Sequence, residues 1–125
     1  MLREEGWEDV GSCVRRMKPL YSLDHVLKEV GNAIWKHCHL RKAISRSDAL
    51  ELYRAVLKLV EKGVVILEPE SRYLLPALEI ALRHGVTLYD ALYVAQAREL
   101  GELLTCDRRQ AEVAIELGVK VHFIP

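Results

Sequence analysis

The sequence predicts a single α/β domain built on a parallel sheet, and three observations carry that prediction. The first is an unbroken apolar run, Val64-Val65-Ile66-Leu67, of the kind found in strands covered on both faces. The second is the carboxyl-terminal order strand, helix, strand: Leu103 to Cys106, then Asp107 to Leu117, then Val119 to Ile124. The third is a series of amphipathic helical stretches between these runs, the alternation that gives parallel strands joined by right-handed crossovers.

Taken in order, Trp7, Val10, Val14 and Met17 recur at spacings of three and four and predict a helix over about 2–17, ended by Pro19. A short extended segment, Lys18 to Tyr21, follows, and Ser22 is the expected N-cap of the next helix. In that helix Val26, Val30, Ala33, Ile34 and His37 share one face. Ser45 or Ser47 opens a helix reaching Lys62, with Gly63 as its C′ residue. Its core face is Ala49, Leu52, Tyr53, Val56, Leu59 and Val60, with Leu50 and Leu57 to one side. Residues 72–84 form a further helix ending at Gly85, with Pro76 near its start. Thr87 opens another, where Ala91 and Ala95 leave room for close packing.

With 125 residues, half of them hydrophobic, the chain supports one sizeable core and no second independent domain. Its 18 basic and 18 acidic residues balance, which excludes a polybasic nucleic-acid arm and an acidic tail; an anionic partner must be held by a local patch or through a metal ion. Cys13, Cys38 and Cys106 are odd in number and widely spaced, which makes a poor disulfide framework and, with no signal-like or membrane-spanning run, predicts a cytoplasmic protein. His37-Cys38-His39 is not expected to bind zinc, because consecutive helical residues point about 100° apart and no second cluster completes a ligand set.

Ligands of an open α/β sheet gather at the carboxyl ends of its strands. Three carboxylates meet that description: Asp107 directly after a strand, Asp90 in the first turn of the helix opened by Thr87, and Glu29 at the border of an apolar helix stripe. Each has a structural reading as well. Thr87-x-x-Asp90 and Asp107-x-x-Gln110 have capping-box spacing, and Glu29 reads as a solvated helix edge. Converging at one sheet edge, however, three carboxylates repel unless a cation joins them. Oxygen donors suit Mg²⁺ or Mn²⁺, whose natural chemistry here is phosphodiester hydrolysis. Arg108 and Arg109 are candidate phosphate contacts, as are Arg15, Arg16 and Lys18.

The segments Gly85-Val86-Thr87-Leu88-Tyr89-Asp90-Ala91-Leu92-Tyr93, Leu104-Thr105-Cys106-Asp107-Arg108-Arg109 and Glu29-Val30-Gly31-Asn32-Ala33 resemble the PIN domain, specifically the VapC-type toxins of toxin–antitoxin pairs. The resemblance implies a three-layer α/β fold of strand order 3-2-1-4-5 and a small ribonuclease dependent on Mg²⁺ or Mn²⁺. It also implies a homodimer inhibited by an antitoxin protein; separately, the lack of a membrane-length apolar run predicts no membrane association. Glu29, Asp90 and Asp107 match the family's acidic positions; Thr105 matches its polar neighbour, and Asn32 stands where many members have asparagine. The family pattern opens with a strand ending in aspartate, roughly ten residues with its turn, whereas this sequence opens on the helical Met1-Leu2-Arg3-Glu4-Glu5. The expectation is thus an amino-terminally truncated PIN-like domain over 1–125, lacking the central strand and one carboxylate. The alternative to a working nuclease is a catalytically impaired module that binds an antitoxin, RNA or another copy of itself.

Overall fold

The structure, a computed structural model, describes residues 19–125; the expected helix over 2–17, with Arg15, Arg16, Lys18 and Cys13, lies outside the described residues. Among the described residues four strands and five α-helices follow one another as β1 (Leu20–Leu23), α1 (Val26–Trp35), α2 (Arg46–Glu61), β2 (Val65–Glu68), α3 (Leu74–His84), α4 (Leu88–Leu100), β3 (Glu102–Thr105), α5 (Arg108–Glu116) and β4 (Lys120–Phe123). The described residues divide into two compact units, Pro19–Glu68 and Pro69–Pro125.

The first unit is a β-α-α-β crossover. β1 and β2 pair in parallel, Leu20 opposite Val65 and Leu23 opposite Glu68, and the Asp24 amide extends the ladder to the Glu68 carbonyl at 2.9 Å. Ser22 lies inside β1 and not at the N-cap position: the parallel ladder claims the backbone through Leu23, so the helix starts only at Val26, with His25 at its N-cap position. Past Trp35 the helix widens into a π-helical turn, Lys36–Leu40, closed by the Arg41 amide on the Lys36 carbonyl at 3.0 Å. His37, expected on the face of Val26, Val30 and Ile34, lies in this turn and is exposed, as is Ala33 before it.

Ser45 caps α2, its hydroxyl accepting from the Asp48 amide at 3.0 Å, and Gly63 ends it at φ +74°, a left-handed conformation that a side chain strains. The covered stripe of α2 is Ala49, Tyr53, Val56 and Val60; Leu52 and Leu59, expected in the core, flank that stripe and are exposed. Gly31 permits a close approach of α1 to α2, since a Cβ there meets the Tyr53 ring at 3.3 Å. The Tyr53 hydroxyl donates to the Leu27 carbonyl at 2.7 Å across that contact. Tyr53→Phe keeps the ring and removes the bond, so a loss of about 1 kcal/mol in denaturant unfolding is expected. An unchanged midpoint contradicts the contact.

The second unit holds most of the buried side chains. Tyr73, Ala77 and Ile80 of the α3 region, Ala91, Leu92, Val94 and Ala95 of α4, Leu103 of β3, and Ala111, Val113 and Ala114 of α5 are all buried. The small residues of α4 let it pack extensively against α3 and also meet α5 and β3. β3 pairs in parallel with β4, Glu102 opposite Lys120 and Thr105 opposite Phe123. Among the described residues the strands thus form two parallel pairs, β2–β1 and β3–β4, the neighbours 3-2 and 4-5 of the expected order.

Candidate active site

Within the second unit the turn after β3 and the start of α4 are joined by a closed set of hydrogen bonds. Gly85 ends α3 at φ +69°, and two residues later Thr87 caps α4, its hydroxyl accepting from the Asp90 amide at 3.2 Å. The Asp90 carbonyl accepts from the Gln110 side-chain Nε2 at 3.1 Å. Oε1 of the same amide accepts from the buried Thr105 hydroxyl at 2.6 Å, and the Thr105 oxygen in turn accepts from the Asp107 amide at 3.0 Å. Asp107 closes the ring as N-cap of α5: its Oδ1 accepts from the Gln110 backbone amide at 2.9 Å.

The capping-box expectation for Asp107 and Gln110 is therefore half met. Asp107 caps the helix as expected, but the Gln110 side chain does not return to the Asp107 amide. Thr105, at the end of β3, is already bonded there. Gln110, buried on the inner face of α5, reaches Asp90 instead. Sequence reasoning thus missed Gln110 as part of the site; the signal was a polar residue on the apolar face made by Ala111, Val113 and Ala114.

Both aspartates keep oxygen atoms in hand. The half-buried Asp90 carboxylate makes no hydrogen bond or ion pair among the described residues, since only its backbone is engaged. Asp107 is exposed and spends Oδ1 on its cap, leaving Oδ2 open. The two candidate phosphate contacts differ. Arg109 donates to the His84 carbonyl and pairs with Glu112 at 3.4 Å. Arg108 is exposed, lies with its guanidinium carbon 5.8 Å from the Phe123 ring centroid, and makes no hydrogen bond among the described residues.

Glu29 and Asn32 belong to the first unit, both exposed on α1. The Glu29 carboxylate has His25 beside it, Nε2 to Oε1 at 3.3 Å, and His25 Nδ1 lies 4.0 Å from Asp24. His25, one helical turn before Glu29 and beside its carboxylate, was not singled out by the sequence pattern. His37, Cys38 and His39 form no metal-ligand cluster among the described residues, and Cys38 and Cys106 are free thiols. No helix among the described residues is long and apolar enough to cross a membrane.

A parallel strand pair whose carboxyl edge carries Thr-x-Asp, tied to an aspartate in the first turn of a preceding helix, fits the family already suggested by the motifs. The chain belongs to the PIN domain family, which it matches over residues 2–116. It is also similar to a VapC-type protein, ribonuclease VapC3 of Pyrobaculum aerophilum, with 37% identity over 110 residues that cover 87% of this chain and 82% of the relative.

Proposed function

We propose that the chain is a divalent-metal-dependent endoribonuclease of the VapC toxin type. The observation that carries this reading is the bridge from Asp90 through Gln110 to Thr105 and Asp107, which holds two family-matching aspartates in one hydrogen-bonded frame. The donors fit a hard cation: they are carboxylate oxygens alone, and Asp90 and Asp107 each keep an oxygen that no described residue occupies. Asp90 and Asp107, with Glu29, are the residues that would hold Mg²⁺ or Mn²⁺. When bound, such an ion supplies an acidified water and charge stabilisation on the scissile phosphate.

The chain's own residues do the rest. Thr105 and Gln110 fix the backbone from which Asp90 and Asp107 project, and Arg108 is the free guanidinium for an RNA phosphate beside them. RNA is the substrate, an antitoxin protein and a second copy of the chain are the partners, and the cytoplasm is the compartment. The VapC3 relative, a ribonuclease by name, supports the substrate class.

Metal removal tests this reading. The purified chain, treated with a chelator and dialysed, is expected to leave an end-labelled RNA of randomised sequence intact, and added Mn²⁺ or Mg²⁺ is expected to restore cleavage. Cleavage that persists in chelator contradicts metal dependence. RNA bound but never cut at any metal concentration favours the catalytically impaired module instead.

A further inference from the structure

We propose that Gln110 is a positioning residue of this site: its side-chain amide sets the spacing at which α4 and the β3–α5 turn present Asp90 and Asp107. The inference rests on the nuclease reading above and adds a residue that the acidic motif does not contain.

The polarity of the bridge is fixed by elementary donor and acceptor rules. A backbone carbonyl only accepts, so the group facing the Asp90 carbonyl at 3.1 Å must be the Gln110 NH₂. That orientation turns Oε1 toward Thr105, whose hydroxyl must then donate to it at 2.6 Å. With its proton committed, the Thr105 oxygen offers only lone pairs, which is what the Asp107 amide at 3.0 Å requires. The Asp90 carbonyl fixes this direction, since a reversed amide would set Oε1 against another acceptor and lose that bond. Asp90 is thereby held through both backbone groups, its amide by Thr87 and its carbonyl by Gln110, while its carboxylate takes no part.

Burial adds to this. Gln110 and Thr105 are each 8% exposed, so little water reaches the bridge to replace a lost partner. Sequence-distant elements are tied here by one side chain: Asp90 and Gln110 are 20 residues apart. Removing that tie frees the first turn of α4 to shift relative to the β3–α5 turn. A displacement of an ångström or so between two groups meant to act on one ion is costly to chemistry, about 100-fold in unfavourable cases.

Gln110→Met tests the role, since methionine is unbranched and of similar length but offers no amide. Measured on the full chain, Mn²⁺ affinity read by electron paramagnetic resonance without RNA is expected to weaken about 10–100-fold. The cleavage kcat should fall by a similar factor, with KM for RNA within about 2-fold of wild type, because the substitution displaces carboxylates rather than phosphate contacts. Thr105→Val breaks the same bridge from its other end and serves equally if Gln110→Met does not fold. Where both fold, the double variant should be little worse than either single one.

A wild-type chain that binds Mn²⁺ and cleaves RNA, beside a folded Gln110→Met chain of unchanged Mn²⁺ affinity and kcat, overturns the positioning role alone. A variant that only melts earlier does the same. A wild-type chain that neither takes up Mn²⁺ nor cleaves overturns the nuclease reading and the Gln110 assignment together.

Discussion

Asp107→Asn is expected to lower metal-dependent RNA cleavage by about 100-fold or more while leaving the unfolding midpoint nearly unchanged. The contrast follows from the two oxygens of Asp107. Oδ1 caps α5 by accepting from the Gln110 amide at 2.9 Å, a bond that the amide oxygen of asparagine reproduces. Oδ2 is open, and there asparagine exchanges a charged hard donor for a neutral NH₂ group. Asp107→Ala removes cap and ligand together and adds a stability loss of about 1 kcal/mol. Single-turnover cleavage and chemical denaturation of the two variants separate the roles. A fall in stability for Asp107→Asn equal to that of Asp107→Ala contradicts the cap geometry, and undiminished cleavage contradicts the ligand assignment.

Leu92→Ala should destabilise the fold by about 2–5 kcal/mol, the range for emptying a filled core position. Leu92 is 2% exposed, and its neighbours in sequence and on α4, Ala91, Val94 and Ala95, are too small to close the cavity. Against a total stability of about 5–15 kcal/mol the loss is large. It also falls two residues from Asp90, on the helix that the site depends on. Leu82→Ala on α3 provides the comparison: Leu82 is 77% exposed, and its truncation is expected to change the midpoint by less than about 0.5 kcal/mol. Equal effects at the two positions contradict the placement of the core in this unit.

Where a single backbone rule governed, the sequence was readable. Ser45, Thr87 and Asp107 each cap the helix expected of them, and Gly63 and Gly85 end theirs in the left-handed conformation. The apolar run before Pro69 becomes β2, and the terminal strand-helix-strand becomes β3, α5 and β4. The α/β class was legible in the alternation of apolar runs with amphipathic helices, and the family in the resemblance of the segments that hold Glu29, Asp90 and Thr105-Cys106-Asp107.

Where two rules competed, it was not. Ser22 has the chemistry of an N-cap, yet the parallel ladder with β2 takes its backbone. Leu52 and Leu59 have core composition, but a helix stripe centred on Tyr53 and Val56 leaves them at its margins. Ala33 and His37 share helical spacing with Val26, Val30 and Ile34, yet both are exposed. Gln110 has capping-box spacing, but its partners are fixed in three dimensions: Thr105 fills the local position and Asp90 offers a carbonyl that no sequence period reveals.

The proposed nuclease activity requires the carboxylate of Asp90, held by its backbone on both sides, to serve a metal ion in cutting RNA. Cleavage of an end-labelled RNA of randomised sequence by the full chain in Mn²⁺, wild type beside Asp90→Asn, tests this most directly. Asparagine keeps the Asp90 amide and carbonyl in place, so the variant should fold and melt as the wild type does while cleavage is lost. Cleavage by folded Asp90→Asn at the wild-type rate contradicts it.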